Sequence, residues 1–278
     1  MRQKKRSSRP AKCLAAMVTE GKNEAVVNYF DNPNYSVIIV GAGRGIGRAA
    51  ADLLASQGVA VGCLDSDVAT AQAAAEVIKA RGGRVAAGRL DVTEDRAIGP
   101  ALDAMAKSLG RIDGLVNCAG ITGNTNIKAH DVDPADFDRV LGINLRGAFM
   151  LSKHVLPHMV AQKYGRLLHI ASIAGKEGNA GMTAYSASKA GLIGLVKSMA
   201  KDYVDRGITI NALAPAVIRT PMVDAMPQAS QDYMTAKIPM GRCGELEEAA
   251  QMIAWIVSPA CSFTTGFTFD LSGGRATY

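Results

Sequence analysis

The chain has 278 residues, of which 48% are hydrophobic and 20% charged, and its formal net charge is +6. This length and composition suit one α/β domain with a large core, and they exclude a disordered or fibrous protein. No apolar run approaches the roughly 20 residues of a membrane helix, which excludes a membrane span.

The excess positive charge lies at the start of the chain. Residues 1–12 hold six basic side chains and no acidic one, which leaves 25 basic and 25 acidic side chains in residues 13–278. A neutral body does not favour a nucleic-acid partner. We predict a basic N-terminal extension over residues 1–30 and one catalytic domain over 31–278. The extension is a targeting or processing segment, a disordered extension, or sequence upstream of a natural start at Met17.

Apolar runs rich in Val, Ile and Leu then alternate with amphipathic stretches. Strands are predicted near 35–40, 59–64, 85–90, 112–117, 166–171, 208–213 and 266–271. Helices are predicted near 46–57, 68–81, 95–109, 135–163, 183–206 and 245–257. Continuously apolar strands between helices are typical of a parallel sheet covered on both faces. The sequence therefore predicts a doubly wound α/β fold of about seven strands that binds ligands at the strands' carboxyl ends.

A glycine-rich loop with the sequence GAGRGIG lies between the first strand and the first helix. Glycines allow positive φ angles and let backbone N–H groups approach a pyrophosphate at a helix N-terminus. In this position the loop predicts a Rossmann-type dinucleotide site. The loop residues expected to bind the cofactor are Gly41, Arg44, Gly45, Ile46 and Gly47.

The second strand ends at Asp65, eighteen residues after Gly47. A carboxylate there accepts hydrogen bonds from ribose hydroxyls and repels a 2′-phosphate, so NAD is favoured over NADP. Arg44 is the one contrary feature, because a loop arginine could reach a 2′-phosphate.

A second motif, YSASK, begins a long predicted helix. Its Tyr185 and Lys189 are four residues apart and so lie on one helix face. An ammonium group beside a phenol favours the phenolate and lowers the tyrosine pKa toward neutrality, as a general base requires. Ser172 closes the fifth strand, where its hydroxyl could reach a substrate oxygen beside the tyrosine.

Over residues 35–275 the sequence resembles the short-chain dehydrogenase/reductase family, and its C-terminal FDLSGGRATY is similar to the sugar and sugar-acid branch. The matching segments are GAGRGIG at 41–47, Asp91-Val92, NCAG at 117–120, Asn144 in GINLRG, Ser172, YSASK at 185–189, PAVIRTPM at 215–222 and LSGG at 271–274. Three positions depart from the family pattern, namely Val40, Cys118 and Ala216, and each affects the detail of cofactor geometry.

The resemblance implies reversible hydride transfer between nicotinamide and a secondary alcohol. It implies that Tyr185 is the general acid/base, that Lys189 lowers the tyrosine pKa and anchors the ribose, and that Ser172 positions the substrate oxygen. Asn144 is expected to hold a water behind Lys189. The remaining implied cofactor contacts are Asp91 and Val92 at the adenine, Asn117, Ala119 and Gly120 along the cleft, and Pro215, Val217 and Thr220 at the nicotinamide.

Substrate specificity is expected to lie in residues 121–130, 173–183 and 222–243. Aromatic residues make up only 5% of the chain, which favours a small polar alcohol or ketone such as a sugar, sugar acid or polyol. Lys176 or Arg219 is a candidate to meet a substrate carboxylate. Two alternatives stay open: an NADPH-dependent 3-oxoacyl-thioester reductase and a non-catalytic nucleotide-binding scaffold.

Five widely spaced cysteines without a C-x-x-C pair indicate free thiols and a cytoplasmic location. His154 and His158 are four residues apart, but no third ligand accompanies them, so we expect no metal. The two long helices predicted at 135–163 and 183–206 match those that pair across subunits in the family, and we expect a homo-oligomer, either a tetramer or a dimer.

Overall fold

The structure is a computed structural model that describes residues 28–225 and 227–278. Its strands are β1 (Ser36–Val40), β2 (Ala60–Asp65), β3 (Val85–Arg89), β4 (Gly114–Asn117), β5 (Gly165–Ile170), β6 (Ile208–Pro215) and β7 (Thr268–Leu271). Its α-helices are α1 (Gly45–Ser56), α2 (Val68–Ala80), α3 (Asp95–Leu109), α4 (Pro134–Leu141), α5 (Gly147–Gln162), α6 (Ile173–Glu177), α7 (Thr183–Asp202), α8 (Pro221–Asp224), α9 (Gln228–Thr235) and α10 (Leu246–Ile256).

The strands form one parallel sheet in the order β3-β2-β1-β4-β5-β6-β7. The chain enters in the middle at β1, runs outward to β3 and then returns to β4 on the other side of β1. Ligands of such sheets bind beyond the carboxyl ends where the strand order reverses. The predicted doubly wound fold is confirmed.

Helices cover both faces of the sheet because alternate residues of each strand point to opposite sides. Ile38 and Val40 pack toward α3, α5 and α7 in one buried cluster. Val37 and Ile39 pack toward α1, α2 and α10 in the other. All five residues of β1 are buried, as the apolar run at 37–40 predicts for four of them.

The helix predicted over 135–163 is divided into three parts. Between α4 and α5 the residues Gly142–Arg146 form a π-helical turn. A π turn adds a residue to the helical repeat and re-aims the side chains beside it, which is why such turns often lie at functional sites. The helix predicted over 183–206 ends at Asp202, and a 3₁₀ turn follows at Val204–Arg206. The short helices α6, α8 and α9 were not predicted.

Residues 1–27 of the predicted basic extension, which include Met17, lie outside the described residues. Phe30, also assigned to that extension, is 6% exposed and packs against Tyr35 at the base of the sheet. Among the described residues, no helix has the length and apolarity needed to cross a bilayer. His158 pairs with Asp103, and no group of three or more metal-ligating side chains occurs in the described part of the chain.

Candidate active site

The glycine-rich loop turns sharply between β1 and α1. Gly41 has φ +82° and Gly45 has φ +55°, angles that side chains other than glycine adopt at a cost. The amide of Gly41 donates to the Leu64 carbonyl at 2.8 Å, which ties the loop to the end of β2. A Cβ on Gly45 would meet no atom within 4 Å, so the mouth of the loop is open. This is the arrangement that a pyrophosphate at a helix N-terminus requires.

Asp65 ends β2 beside this loop. One carboxylate oxygen accepts the Gly43 amide at 2.9 Å and the other accepts the Asp67 amide at 3.1 Å. The side chain is therefore held at the sheet edge where the adenosine ribose of a dinucleotide lies. Arg44 lies 3.6 Å from the carboxylate of Asp67. A 2′-phosphate would need a free cation there, and Arg44 is instead paired with an acidic group.

Asn117 ends β4 at the cleft, and its side chain contacts a buried histidine. Its side-chain oxygen accepts the Ala119 amide at 3.1 Å, which directs its NH₂ group to Nδ1 of His169 at 3.2 Å. Nε2 of His169 then donates to the Ser152 hydroxyl at 3.0 Å, and that hydroxyl donates to the Ala148 carbonyl at 2.8 Å. Only a neutral imidazole fits this chain of donors, because protonated Nδ1 would face another donor.

We predict that His169 makes the protein sensitive to mild acid. Burial and the nearby Lys189 ammonium lower the pKa of His169 to about 3, whereas an unfolded histidine has a pKa of about 6.5. The unfolded chain thus takes up a proton below pH ~6.5, and stability falls as pH drops from there toward 3. The expected loss between pH 8 and pH 5 is about 2 kcal/mol, measured by urea unfolding.

A variant that cannot titrate separates this effect from other ionisations. His169→Asn should show a smaller loss of unfolding free energy between pH 8 and pH 5 than the wild type. His130→Asn, which changes an exposed histidine, should keep the wild-type loss. Equal losses in all three proteins would contradict the assignment.

Ser172, Tyr185 and Lys189 meet at the carboxyl end of β5. Ser172 is the N-cap of α6 and accepts the Ala174 amide at 3.1 Å. It also hydrogen-bonds Tyr185 in the first turn of α7. The ammonium Nζ of Lys189 lies 5.7 Å from the centre of the Tyr185 ring and donates to the Ile170 carbonyl at 2.7 Å. The spacing in YSASK thus brings the predicted phenol and ammonium to one face.

The predicted lowering of the Tyr185 pKa is not found. Burial raises the pKa of Tyr185, and only the hydrogen bond from Ser172 lowers it. Lys189 is 4% exposed, and burial lowers its pKa to about 8. The ammonium is directed to Ile170 rather than to the phenol oxygen, so its field has little effect on the tyrosine. A neutral phenol is suited to donating a proton.

Asn144 lies in the π turn and joins α5 to the cleft. Its NH₂ group donates to the Ile121 carbonyl at 2.8 Å and to the Ser188 hydroxyl at 3.0 Å, while its oxygen accepts the Ile121 amide at 2.9 Å. A Cβ on Gly120 would lie 3.1 Å from the Asn144 oxygen and 3.3 Å from Lys189 Nζ. A side chain at position 120 would therefore crowd both groups. The water proposed behind Lys189 stays a prediction.

The other predicted cofactor residues lie along the same edge of the sheet. Asp91 follows β3, and its pKa is lowered by hydrogen bonds from the Thr93 hydroxyl and amide. Val92 is buried against Gly147. Pro215 ends β6, the Val217 carbonyl accepts the Gly244 amide at 3.0 Å, and Thr220 caps α8. The loop after β6 is thereby fixed beside the cleft.

Neither basic residue suggested for a substrate carboxylate is free in the structure. Lys176 pairs with Asp270 at 3.1 Å, and its side chain is only 8% exposed. Arg219 lies 3.1 Å from Asp224 and 3.6 Å from Glu245. Lys176 is thus matched to a carboxylate of β7, a partner 94 residues away that spacing does not reveal.

The comparisons with known proteins fit this geometry. A family model described as enoyl-(acyl carrier protein) reductase matches residues 41–276. The chain belongs to the short-chain dehydrogenase/reductase family. The predicted family and the oxidoreductase class are therefore confirmed.

Several relatives are similar along nearly the whole domain. An NAD(+) 2-dehydro-3-deoxy-L-rhamnonate dehydrogenase from Sphingomonas sp. is 43% identical over 87% of this chain and 95% of the relative. A 3-oxoacyl-acyl-carrier-protein reductase from Thermotoga maritima is 37% identical over 85% of this chain and 96% of the relative. The crystal structure of an NAD+-bound xylitol dehydrogenase superposes with a TM-score of 0.83 at 31% identity, covering 87% of this chain and 98% of that one.

Proposed function

We propose that this protein is an NAD-dependent dehydrogenase that interconverts a secondary alcohol and a ketone on a small polar substrate, most specifically a sugar acid. The observation that carries the proposal is the joint presence, at one edge of the sheet, of the fixed Asp65 carboxylate and the Ser172–Tyr185–Lys189 cluster. The first selects the cofactor and the second exchanges the proton.

The chain's own residues supply binding and proton transfer. When bound, NAD supplies the site that accepts or returns a hydride. The Ser172 hydroxyl holds the substrate oxygen within reach of Tyr185. The Tyr185 phenol donates a proton to that oxygen in reduction, and its phenolate takes the proton up in oxidation. Lys189 lies one helical turn from Tyr185 with its ammonium on the Ile170 carbonyl, where it would hold the nicotinamide ribose of bound NAD.

Two features of the structure and the names of two similar proteins support NAD over NADP. The Asp65 carboxylate, held by two backbone amides, would repel a 2′-phosphate at the ribose position. The guanidinium of Arg44 lies 3.6 Å from the Asp67 carboxylate, whose negative charge opposes a 2′-phosphate at that position. The Sphingomonas relative and the xylitol dehydrogenase, both similar along the whole domain, are described with NAD.

The substrate class follows from the polar surroundings of Tyr185 and from the relatives. The segment between Ser172 and Tyr185 carries Lys176, Glu177 and Asn179. The similar Sphingomonas protein acts on a sugar acid and the similar solved structure is of a polyol dehydrogenase. The second candidate is 3-oxoacyl-thioester reduction, which the Thermotoga relative favours.

Steady-state kinetics test the proposal. For oxidation of 2-keto-3-deoxy sugar acids, we expect kcat/KM with NAD to exceed that with NADP by at least about tenfold. We expect that value also to exceed kcat/KM for reduction of the thioester acetoacetyl-CoA with NADH or NADPH. Asp65→Asn, which removes the repelling charge, should narrow the NAD/NADP ratio without changing the preferred alcohol. Activity with NADPH and acetoacetyl-CoA alone would favour the thioester reductase, and binding of NAD without any turnover would favour the scaffold.

We also propose a homo-oligomer and a cytoplasmic location. A surface patch of α5, α7 and the π turn exposes Phe149, 45% exposed, beside Leu145 and Leu195, as a helix face that pairs with a second copy would. The four described cysteines are free thiols, in keeping with a reducing compartment.

A further inference from the structure

The residues after β7 contact the segment that joins Ser172 to the helix of Tyr185. This connecting segment comprises residues 173–182, between Ser172 and α7. It packs closely against α7, since a Cβ on Gly175 would lie 2.6 Å from the backbone carbon of Lys189. Its position therefore sets the wall of the cleft beside Tyr185.

Arg275 makes the central contact across this junction. Its Nε donates to the Glu177 carboxylate at 2.9 Å and its Nη2 donates to the Asn179 side-chain oxygen at 2.8 Å. The Arg275 side chain is 10% exposed, so water screens the pair less than at an open surface. The planar guanidinium serves both acceptors at once, which a lysine ammonium on a flexible stem does not match.

Asn179 carries this contact toward the catalytic helix. The backbone amide of Asn179 donates to the Ser186 hydroxyl at 3.1 Å, and Ser186 is the neighbour of Tyr185. The Asn179 carbonyl accepts the Met182 amide at 3.1 Å, just before α7 begins. A displacement of Asn179 would therefore alter its hydrogen bonds with Met182 and Ser186 at the start of α7.

The turn at residues 272–275, here called the C-terminal turn, also contacts the 222–243 segment. Gly273 has φ +61°, and its carbonyl accepts the amide of Met240, a residue of the 222–243 segment, at 3.1 Å. Ser272 is 2% exposed, and its hydroxyl accepts the Ala276 amide at 3.1 Å, which fixes the turn that carries Arg275. The turn therefore joins the two segments expected to determine specificity.

We propose that Arg275 is a positioning residue for the substrate, which holds Glu177 and Asn179 so that the connecting segment forms a fixed wall beside Tyr185. This inference rests on the proposed function, since it concerns the alcohol that Tyr185 serves. Arg275 acts through these two residues of the connecting segment and, among the described residues, contacts none of the glycine-rich loop, so its loss should affect the alcohol and leave NAD binding intact.

Kinetics of three variants test this role. Arg275→Ala is expected to raise the KM of the alcohol about tenfold or more, with the KM of NAD within twofold of the wild type. Arg275→Lys should recover part of the loss, because the ammonium restores the charge beside Glu177 but not both hydrogen bonds. Arg206→Ala, which removes an exposed arginine paired with Asp205 at the far end of α7, is the matched control. An unchanged KM for the alcohol, or equal rises for alcohol and NAD, would overturn the role.

A double variant asks whether Arg275 acts through Glu177. Glu177→Gln should raise the KM of the alcohol, and adding Arg275→Ala to it should have a smaller effect than in the wild type. Full additivity of the two changes would overturn the proposed route.

Hydrogen exchange tests whether Arg275 holds the connecting segment, and it needs no substrate. Arg275→Ala should speed amide exchange in peptides covering 173–182 and leave the glycine-rich loop at 41–47 unchanged, whereas Arg206→Ala should do neither. Unchanged exchange in 173–182 would overturn the inference. A wild type that oxidises no secondary alcohol with NAD would instead overturn the proposed function, so the two failures are distinguishable.

Discussion

Replacing Tyr185 with phenylalanine is expected to lower kcat by about 10²- to 10⁴-fold while leaving NAD affinity unchanged. The change removes one oxygen, and the ring stays in place beside Lys189 and the end of β5. The Tyr185 oxygen takes the proton of the alcohol in oxidation and returns it in reduction, and phenylalanine has no group that can do either.

The measurement is the steady-state rate with saturating alcohol and NAD, together with a fluorescence titration of NAD. Tyr203→Phe, which removes a hydroxyl just beyond the far end of α7, is the matched control and should keep the wild-type rate. Full turnover by Tyr185→Phe would show that the proton passes through another group, and it would reopen the scaffold alternative.

Gly47→Ala is expected to weaken NAD binding by about 10- to 100-fold. A Cβ at this position would lie 2.1 Å from the carbonyl oxygen of Gly41 and 2.9 Å from its carbon. Both atoms are backbone, so the loop and the N-terminus of α1 must move apart, and overpacking of this kind costs about 1–3 kcal/mol. The displaced amides then no longer point at the pyrophosphate.

Isothermal titration with NAD measures the loss. Gly194→Ala, at a helical position in α7 where a Cβ meets no atom within 4 Å, should bind NAD as the wild type does. If Gly47→Ala also keeps the wild-type affinity, the loop does not cradle the pyrophosphate in the way proposed here.

The two variants divide the site into its parts. Tyr185→Phe acts on proton transfer after the cofactor has bound, whereas Gly47→Ala acts on cofactor binding before any chemistry. A protein in which both variants retain wild-type turnover would not be a dehydrogenase of the kind proposed. Arg275→Ala differs from both, since its expected effect is confined to the alcohol.

Much of the candidate site could be predicted from the sequence because it is encoded by short-range patterns. Strand and helix periodicity places the glycine loop and Asp65 at strand ends and puts Tyr185 and Lys189 on one helix face. The roles of these residues were implied by the resemblance to the family. The alternation of apolar strands with helices is equally local, and it determined the doubly wound fold.

The predictions from sequence were wrong where contacts between residues distant in the chain determine the structure or the ionisation. The pKa of Tyr185 depends on its burial and on the direction of the Lys189 side chain toward Ile170, which spacing does not reveal. The π turn that holds Asn144 interrupts a helix that the apolar period predicts to be continuous. Lys176, expected to meet a substrate, has its partner on β7.

The sequence by itself determined the fold class, and through its resemblance to the family it predicted the cofactor loop and the proton-transfer residues, since each motif is a short contiguous segment. Only the tertiary structure decided the ionisation of those residues and the contacts of the C-terminal turn with the connecting segment. Burial and charge pairing arise when segments about a hundred residues apart come together, and Arg275 meets Glu177 only after β7 has joined the edge of the sheet.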